Sequence, residues 1–215
     1  MRLPRVLPLL LALSLLGACS TGSIPVTDQS HGLWLQRQAP LRDFDQWHLR
    51  GRVALFIDEE VYNLGLDWIH GRGDNSLTLE AALGQGMVRI RRLDDAYQLS
   101  TADGEVRRAD SAERLLRQVT GWDIPVEGLE YWVRGLPAPG SPAQPEIDAS
   151  GRLKILQQDG WWIHYLDYDE PDDALPVLPR RLYMKRGRVR IKIVIDQWQK
   201  APTRPYENLF PDFPD

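Results

Sequence analysis

The sequence predicts a mainly β fold with helices (α+β), in which a long antiparallel sheet curls into an incomplete β-barrel under a helical lid. Three observations carry that expectation. Apolar and polar residues alternate through successive segments with the two-residue period of half-buried strands. Short polar and glycine-bearing turns separate those segments, as in an antiparallel meander. Around residues 110–121 the period changes to that of an amphipathic helix. A sheet of so many strands twists and curls rather than lying flat.

A first helix is expected from Leu33 to Phe44. In the strand that follows, Trp47, Leu49, Gly51, Val53, Leu55 and Ile57 face one way, and His48, Arg50, Arg52 and Ala54 the other. Tyr62, Leu64, Leu66 and Trp68 repeat the pattern, then Leu77, Leu79, Ala81 and Leu83, then Val88 and Ile90. Turns fall at Asp58-Glu59-Glu60, Gly71 to Asn75, Gly84-Gln85-Gly86 and Leu93-Asp94-Asp95. The tripeptide Arg72-Gly73-Asp74 matches an integrin-binding motif, but its glycine and asparagine neighbours read as a tight turn.

Asp110 with Glu113 has the spacing of a capping box. Ala112, Leu115, Leu116 and Val119 then fall at i, i+3, i+4 and i+7, and Gly121 is placed to end the helix. A second short helix is expected from Val126 to Val133, packing through Leu129, Trp132 and Val133. The four prolines between Leu136 and Pro145 exclude regular helix or central strand. Strands resume at Leu153–Gln157 and Trp161–Tyr168. A final hairpin runs from Arg180–Lys185 through Arg186-Gly187 into Arg188–Ile195, with Val189, Ile191, Ile193 and Ile195 on one face.

At the other end of the chain, Arg2 and Arg5 precede an apolar run from Val6 to Leu16, and Gly17 and Ala18 stand before Cys19, the single cysteine. That order is the one of a secretory signal. The run of about eleven residues is too short to cross roughly 30 Å of hydrocarbon, which predicts a segment that is removed. Leu16-Gly17-Ala18-Cys19 resembles the lipobox of bacterial lipoproteins, whose cysteine is acylated and becomes the first mature residue. Ordinary cleavage beside a chance cysteine is the alternative. One cysteine has no intramolecular disulfide partner, which suits an attachment point. By the same resemblance, Ser20 in place of aspartate implies the outer membrane. The expected division is a signal peptide at 1–18, a lipidated N-terminus and polar tether at 19–30, and one folded domain at 31–215.

Losing Arg2 and Arg5 from 26 basic residues leaves 24 against 30 acidic, a balance of −6. Nucleic acid is therefore not an expected partner. His31, His48, His70 and His164 have no metal-ligand spacing, and no metal or other cofactor is expected. Neither a nucleophile elbow nor a phosphate-binding glycine loop occurs. Catalysis is not expected, although a site assembled by the fold alone stays open. The basic band Arg180, Arg181, Lys185, Arg186, Arg188, Arg190 and Lys192 fits either phosphate head groups or an acidic partner, or else the solvated face of a hairpin. Eight tryptophans with many Leu, Ile and Val could line an apolar cavity, but periodicity alone favours a filled core.

Several blocks occur together and in order: Gly51-Arg52-Val53-Ala54-Leu55, Leu66-Asp67-Trp68, Leu83-Gly84-Gln85-Gly86, Ala102-Asp103-Gly104, Gly121 to Val126, Tyr131 to Gly140, Gly160-Trp161 and Lys192 to Trp198. In this the chain resembles the LolB family of outer-membrane lipoprotein receptors, over essentially its whole mature length. The resemblance implies a LolA/LolB-like incomplete barrel whose helices cover an apolar cavity. It implies acceptance of lipoproteins from the periplasmic carrier LolA and their insertion into the inner leaflet of the outer membrane, without nucleotide. A monomer is expected, anchored through an N-acyl, S-diacylglycerol Cys19 and facing the periplasm. Leu83 matches the family's membrane-touching leucine, although alternation would bury it. With the strand phase read above, the candidate acyl-chain lining is Trp47, Leu49, Val53, Leu55, Leu64, Leu66, Trp68, Leu77, Leu79, Val189, Ile191 and Ile193.

Overall fold

Alternating strands do assemble into one sheet in the computed structural model, which describes residues 28–71, 75–81, 86–171 and 173–202. Its strands are β1 (Trp47–Ile57), β2 (Glu60–His70), β3 (Asn75–Ala81), β4 (Met87–Arg92), β5 (Tyr97–Thr101), β6 (Val106–Ala109), β7 (Ala143–Ile147), β8 (Leu153–Gln158), β9 (Trp161–Tyr168), β10 (Pro179–Arg186) and β11 (Val189–Lys200). Helix α1 (Asp28–Asp43) precedes them, and α2 (Ala112–Thr120) and α3 (Val126–Trp132) separate β6 from β7.

The spatial order is β6-β5-β4-β3-β2-β1-β11-β10-β9-β8-β7, with every pairing antiparallel. Two meanders thus meet where β1 pairs with β11. Among the described residues β6 and β7 are each paired on one side only, so the barrel is not closed. The register places the β1–β2 turn, the facing ends of β3 and β4 (Ala81 and Gly86), and the β5–β6, β8–β9 and β10–β11 turns at one end, the rim. There the Ala81 N–H donates to the Gly86 carbonyl at 2.8 Å.

At the centre of the sheet the β1–β11 register slips between Arg50 and Gly51. A β-carbon on residue 51 would lie 2.2 Å from the Val194 carbonyl oxygen, so the bulge admits only glycine. The slip lets both Ile195 and Trp198 point inward although they are three residues apart.

Helix α2 corrects one expectation. Its N-cap is Ser111 rather than Asp110: the Ser111 hydroxyl accepts from the Arg114 N–H at 3.2 Å. Asp110 pairs instead with Arg114, 3.1 Å away, and the Glu113 carboxylate accepts from the Glu127 N–H at 2.7 Å. Glu113 therefore caps the next helix instead of its own. Gly121 does end α2, in the left-handed region at φ 74°, with its N–H on the Arg117 carbonyl. Helix α1 begins five residues before the expected Leu33, and β5, β6 and β7 form where the alternation predicts no strand. Strand β7 includes Pro145, which is compatible with its place at a sheet edge.

Candidate functional site

The inner face of the sheet packs against the three helices in one apolar cluster, but the two wings are filled differently. Between β7 and β11 the space is solid: Trp132, Leu156, Trp161, Ile163, Leu182 and Met184 are at most 1% exposed. Across β1 to β4 the inward residues Val53, Tyr62, Leu64, Leu79 and Val88 are only partly buried.

Beneath α2 and α3 lies an apolar seam of about 50 Å³. Sheet residues Val53, Leu55, Leu64, Leu66, Trp68, Leu77, Leu79, Ile191 and Ile193 line one side. Leu116, Trp122, Ile124, Val126 and Leu129 close it from the lid. Through Leu64, Leu79, Leu116 and Trp122 the seam continues into a groove of about 630 Å³ at the rim, bordered by Ala81, Met87, Val88 and Thr101. The Trp122 and Tyr62 rings, 4.7 Å apart, stand where seam meets rim.

Nine of the twelve residues expected for an acyl-chain lining border this seam. Trp47 and Leu49 do not. They are fully buried at the far end of β1, where the Trp47 ring meets Trp68 at 5.1 Å, Trp198 at 5.5 Å and His70 at 5.2 Å. Alternation reports the side of a strand but not the position along it, and the far end is plugged by these rings. Val189 packs partly buried against the core without reaching the seam. Of the lid residues that close the seam, Trp122 and Ile124 lie between helices and carry no periodic signal. Cys19, Leu83 and Arg72-Gly73-Asp74 lie outside the described residues.

The lid is held unequally. At its C-terminal end the Trp132 Nε1–H donates to the buried Gln158 Oε1 at 2.9 Å, and the Tyr165 hydroxyl donates to the Trp132 carbonyl at 3.0 Å. Gln158 also accepts from the Ala138 N–H and donates to the Ala138 carbonyl, locking the proline-rich segment. Arg134, buried, donates to the Leu41 and Phe44 carbonyls at 3.1 and 3.0 Å and so ties the lid to the end of α1. Burial lowers the pKa of its guanidinium. Over the seam itself the lid rests mainly on apolar contacts, with Glu130 reaching His70 and Asn75 at 3.5 Å and Arg186 of β10 donating to the Asp123 carbonyl at 2.9 Å between the two lid helices. Burial, then the neighbouring Glu113 and Glu130 carboxylates, raise the Glu127 pKa.

Every residue lining the seam is apolar, so what the site offers a guest is removal of hydrocarbon from water. An unclosed antiparallel barrel with helices packed on its inner face is the LolA-like class of fold. A LolA superfamily protein from Nitrosomonas europaea shares it with a TM-score of 0.51, at 10% identity over 86% of this chain and 99% of that one. A putative outer membrane lipoprotein-sorting protein domain from Vibrio parahaemolyticus does so at 0.52, with 8% identity over 80% and 92%. These two likenesses are of fold alone.

The family model described as outer membrane lipoprotein LolB matches residues 45–198, and the chain belongs to that family. The outer-membrane lipoprotein LolB of Nitrosococcus oceani is 39% identical over 168 residues, 77% of this chain and 82% of that one. That of Alkalilimnicola ehrlichii is 35% identical over 203 residues, 94% of this chain and all of the relative.

Proposed function

We propose that the chain takes lipoproteins from the periplasmic carrier LolA, shelters their acyl chains against the β1–β4 and β11 inner face, and releases them into the inner leaflet of the outer membrane. The observation that carries this reading is the all-apolar seam that opens into the groove at the rim. Burying acyl chain is worth about 0.8 kcal/mol per methylene, so a client with three chains needs shelter worth tens of kcal/mol. The seam under the lid is narrow, about 50 Å³, so in this reading an acyl chain enters from the rim groove and α2 and α3 lift to admit it. Their apolar faces then meet the guest instead of the sheet, which offsets the cost of opening. Transfer needs no covalent step and no nucleotide, because each handover runs toward the stronger apolar host.

In this reading Cys19 carries the anchor, and Leu83 touches the membrane from the segment between β3 and β4. The support for Leu83 is family resemblance together with the flanking Ala81 and Gly86, which border the rim groove. The test is transfer of a radiolabelled lipoprotein from purified carrier to this protein without nucleotide. Client accepted and passed to liposomes is the expected result, and no acceptance by the folded protein overturns it. Leu83→Glu is expected to accept clients normally and to deliver them poorly; normal delivery removes Leu83 from the mechanism. A form starting after Cys19 is expected to accept clients still, since the seam lies wholly in the barrel.

A further inference from the structure

The outer face of the sheet changes character along its length. Away from the rim its cations are matched by carboxylates: Arg50 with Asp67, Arg52 with Asp196, Arg181 with Asp167 and Arg180 with Asp169, all at 2.9–3.3 Å. Toward the rim the register aligns Val61, Phe56, Arg190, Lys185 and Trp162 in one row across β2, β1, β11, β10 and β9. The next row carries Lys192, Tyr183 and His164. Here the cations sit on rings: Lys185 at 4.8 Å from the Trp162 centroid, and Arg190 and Lys192 at 5.3 and 5.2 Å from Phe56. No carboxylate among the described residues lies within ion-pair distance of these three. The rim turns do hold acids: Asp58 pairs with Arg188 and Glu60 accepts from the Tyr62 hydroxyl, while the exposed Glu59 and Asp159, in the β1–β2 and β8–β9 turns, lie beyond ion-pair distance of the three cations. Val61 is 52% exposed at the end of the row.

We propose that this rim-proximal outer face docks on an anionic phospholipid bilayer, the cations meeting headgroup phosphates and the Trp162, Tyr183 and Phe56 rings settling at the interface. Charge complementarity argues for that occupant, since three cations without carboxylates face outward beside half-exposed rings. Lysine beside tryptophan and tyrosine is the composition that membrane interfaces favour, whereas the buried centres of protein interfaces are depleted in lysine. The patch adjoins the same rim as the groove, so a barrel docked this way holds its open end at the membrane surface. This rests on the reading that the protein works at a membrane and adds which face turns toward it.

Chemical labelling of the anchored protein tests the proposal. The mature chain has lysines at 154, 185, 192 and 200; two lie in the patch, and Lys200 is exposed at the opposite end of β11. The acylated full-length protein is reconstituted in vesicles of phosphatidylcholine alone or with phosphatidylglycerol, treated with an amine-acetylating reagent and read by mass spectrometry. Each cation at an anionic surface is worth about five-fold in occupancy. Labelling of Lys185 and Lys192 should therefore fall about five-fold or more with phosphatidylglycerol, recover in high salt, and leave Lys200 unchanged. Arg190→Glu, at an exposed site, should return both lysines to the phosphatidylcholine rate while the circular dichroism stays that of the parent. Uniform labelling of all four lysines in both vesicles overturns the proposal, as does protection that appears only when an acidic carrier protein is added. The readout needs no client, so failed transfer with protected lysines counts against the transfer function alone, and uniform labelling with intact transfer counts against this face alone.

Discussion

The β7–β11 wing and the β1–β6 wing are built from the same alternating strands, yet one is solid and the other hollow. In the solid wing Trp132 and Trp161, their centroids 6.4 Å apart, fill the space between sheet and helix. In the hollow wing the sheet residues beside the seam are mostly leucines and valines, with Trp68 toward the plugged end, and the helices above them stop short of filling the gap. Packing to crystal-like density stabilises but leaves no room for a guest. A protein that holds hydrocarbon briefly, as proposed for this one, gains by separating the two tasks. The lid is hydrogen-bonded to the solid wing through Gln158 and Tyr165 and, between its helices, through Asp123 to Arg186 of β10, while Arg134 ties it to the end of α1. To the hollow wing it is joined by apolar contacts and by Glu130 with His70 and Asn75, so under the proposed function it lifts from that side.

The largest expected effect falls in the solid wing. Trp132→Ala should destabilise by about 3–5 kcal/mol, from the cavity left and the loss of the Gln158 hydrogen bond. Urea denaturation measures it, and a loss near 1 kcal/mol would mean the wing is not packed as described. Gln158→Ala comes next. It leaves the Trp132 Nε1–H and the Ala138 N–H without their acceptor, at about 2–3 kcal/mol for the buried donors. Leu79→Ala, the matching truncation in the hollow wing, removes a side chain already half in contact with the rim groove. It should cost only about 1 kcal/mol, because little packing is lost, and it should strengthen binding of an apolar fluorescent probe by widening the seam. Equal costs for Trp132→Ala and Leu79→Ala would erase the distinction between the wings.

The solid and hollow wings were not equally legible in the sequence. Long alternations at β1, β2, β9 and β11 are recognisable because one face is buried along most of their length. Strand β6 is four residues of which three are exposed, Val106, Arg107 and Arg108, so an edge with no second neighbour leaves no alternation to read. The side of each cavity residue followed from its strand phase. Which of them face empty space did not, because hollowness depends on how far α2 and α3 stand from the sheet. Ser111 and Asp110 are both good N-caps, and residue type alone could not choose between them. The choice is made by Glu113, which is drawn to the start of α3 by a contact fourteen residues away in sequence.

The smallest predicted effect tests how the lid is kept ready to lift. Glu127 lies near Glu113 and Glu130, and its pKa is raised by burial and by those two carboxylates. A carboxyl whose folded pKa lies above its unfolded value favours the folded state most when protonated. That contribution is lost as pH rises through the raised pKa, so at neutral pH the ionised Glu127 works against the closed lid. Glu127→Gln removes that repulsion while keeping the backbone N–H that Glu113 accepts from. The side chain is only partly withdrawn from water, so solvent screening holds the gain to about a few tenths of a kcal/mol. The variant should be slightly more stable than the parent at pH 7 and admit an apolar probe more slowly. Both differences should vanish near pH 3, where the parent residue is itself neutral. Destabilisation at pH 7 would show that the Glu127 carboxylate helps to hold the lid down.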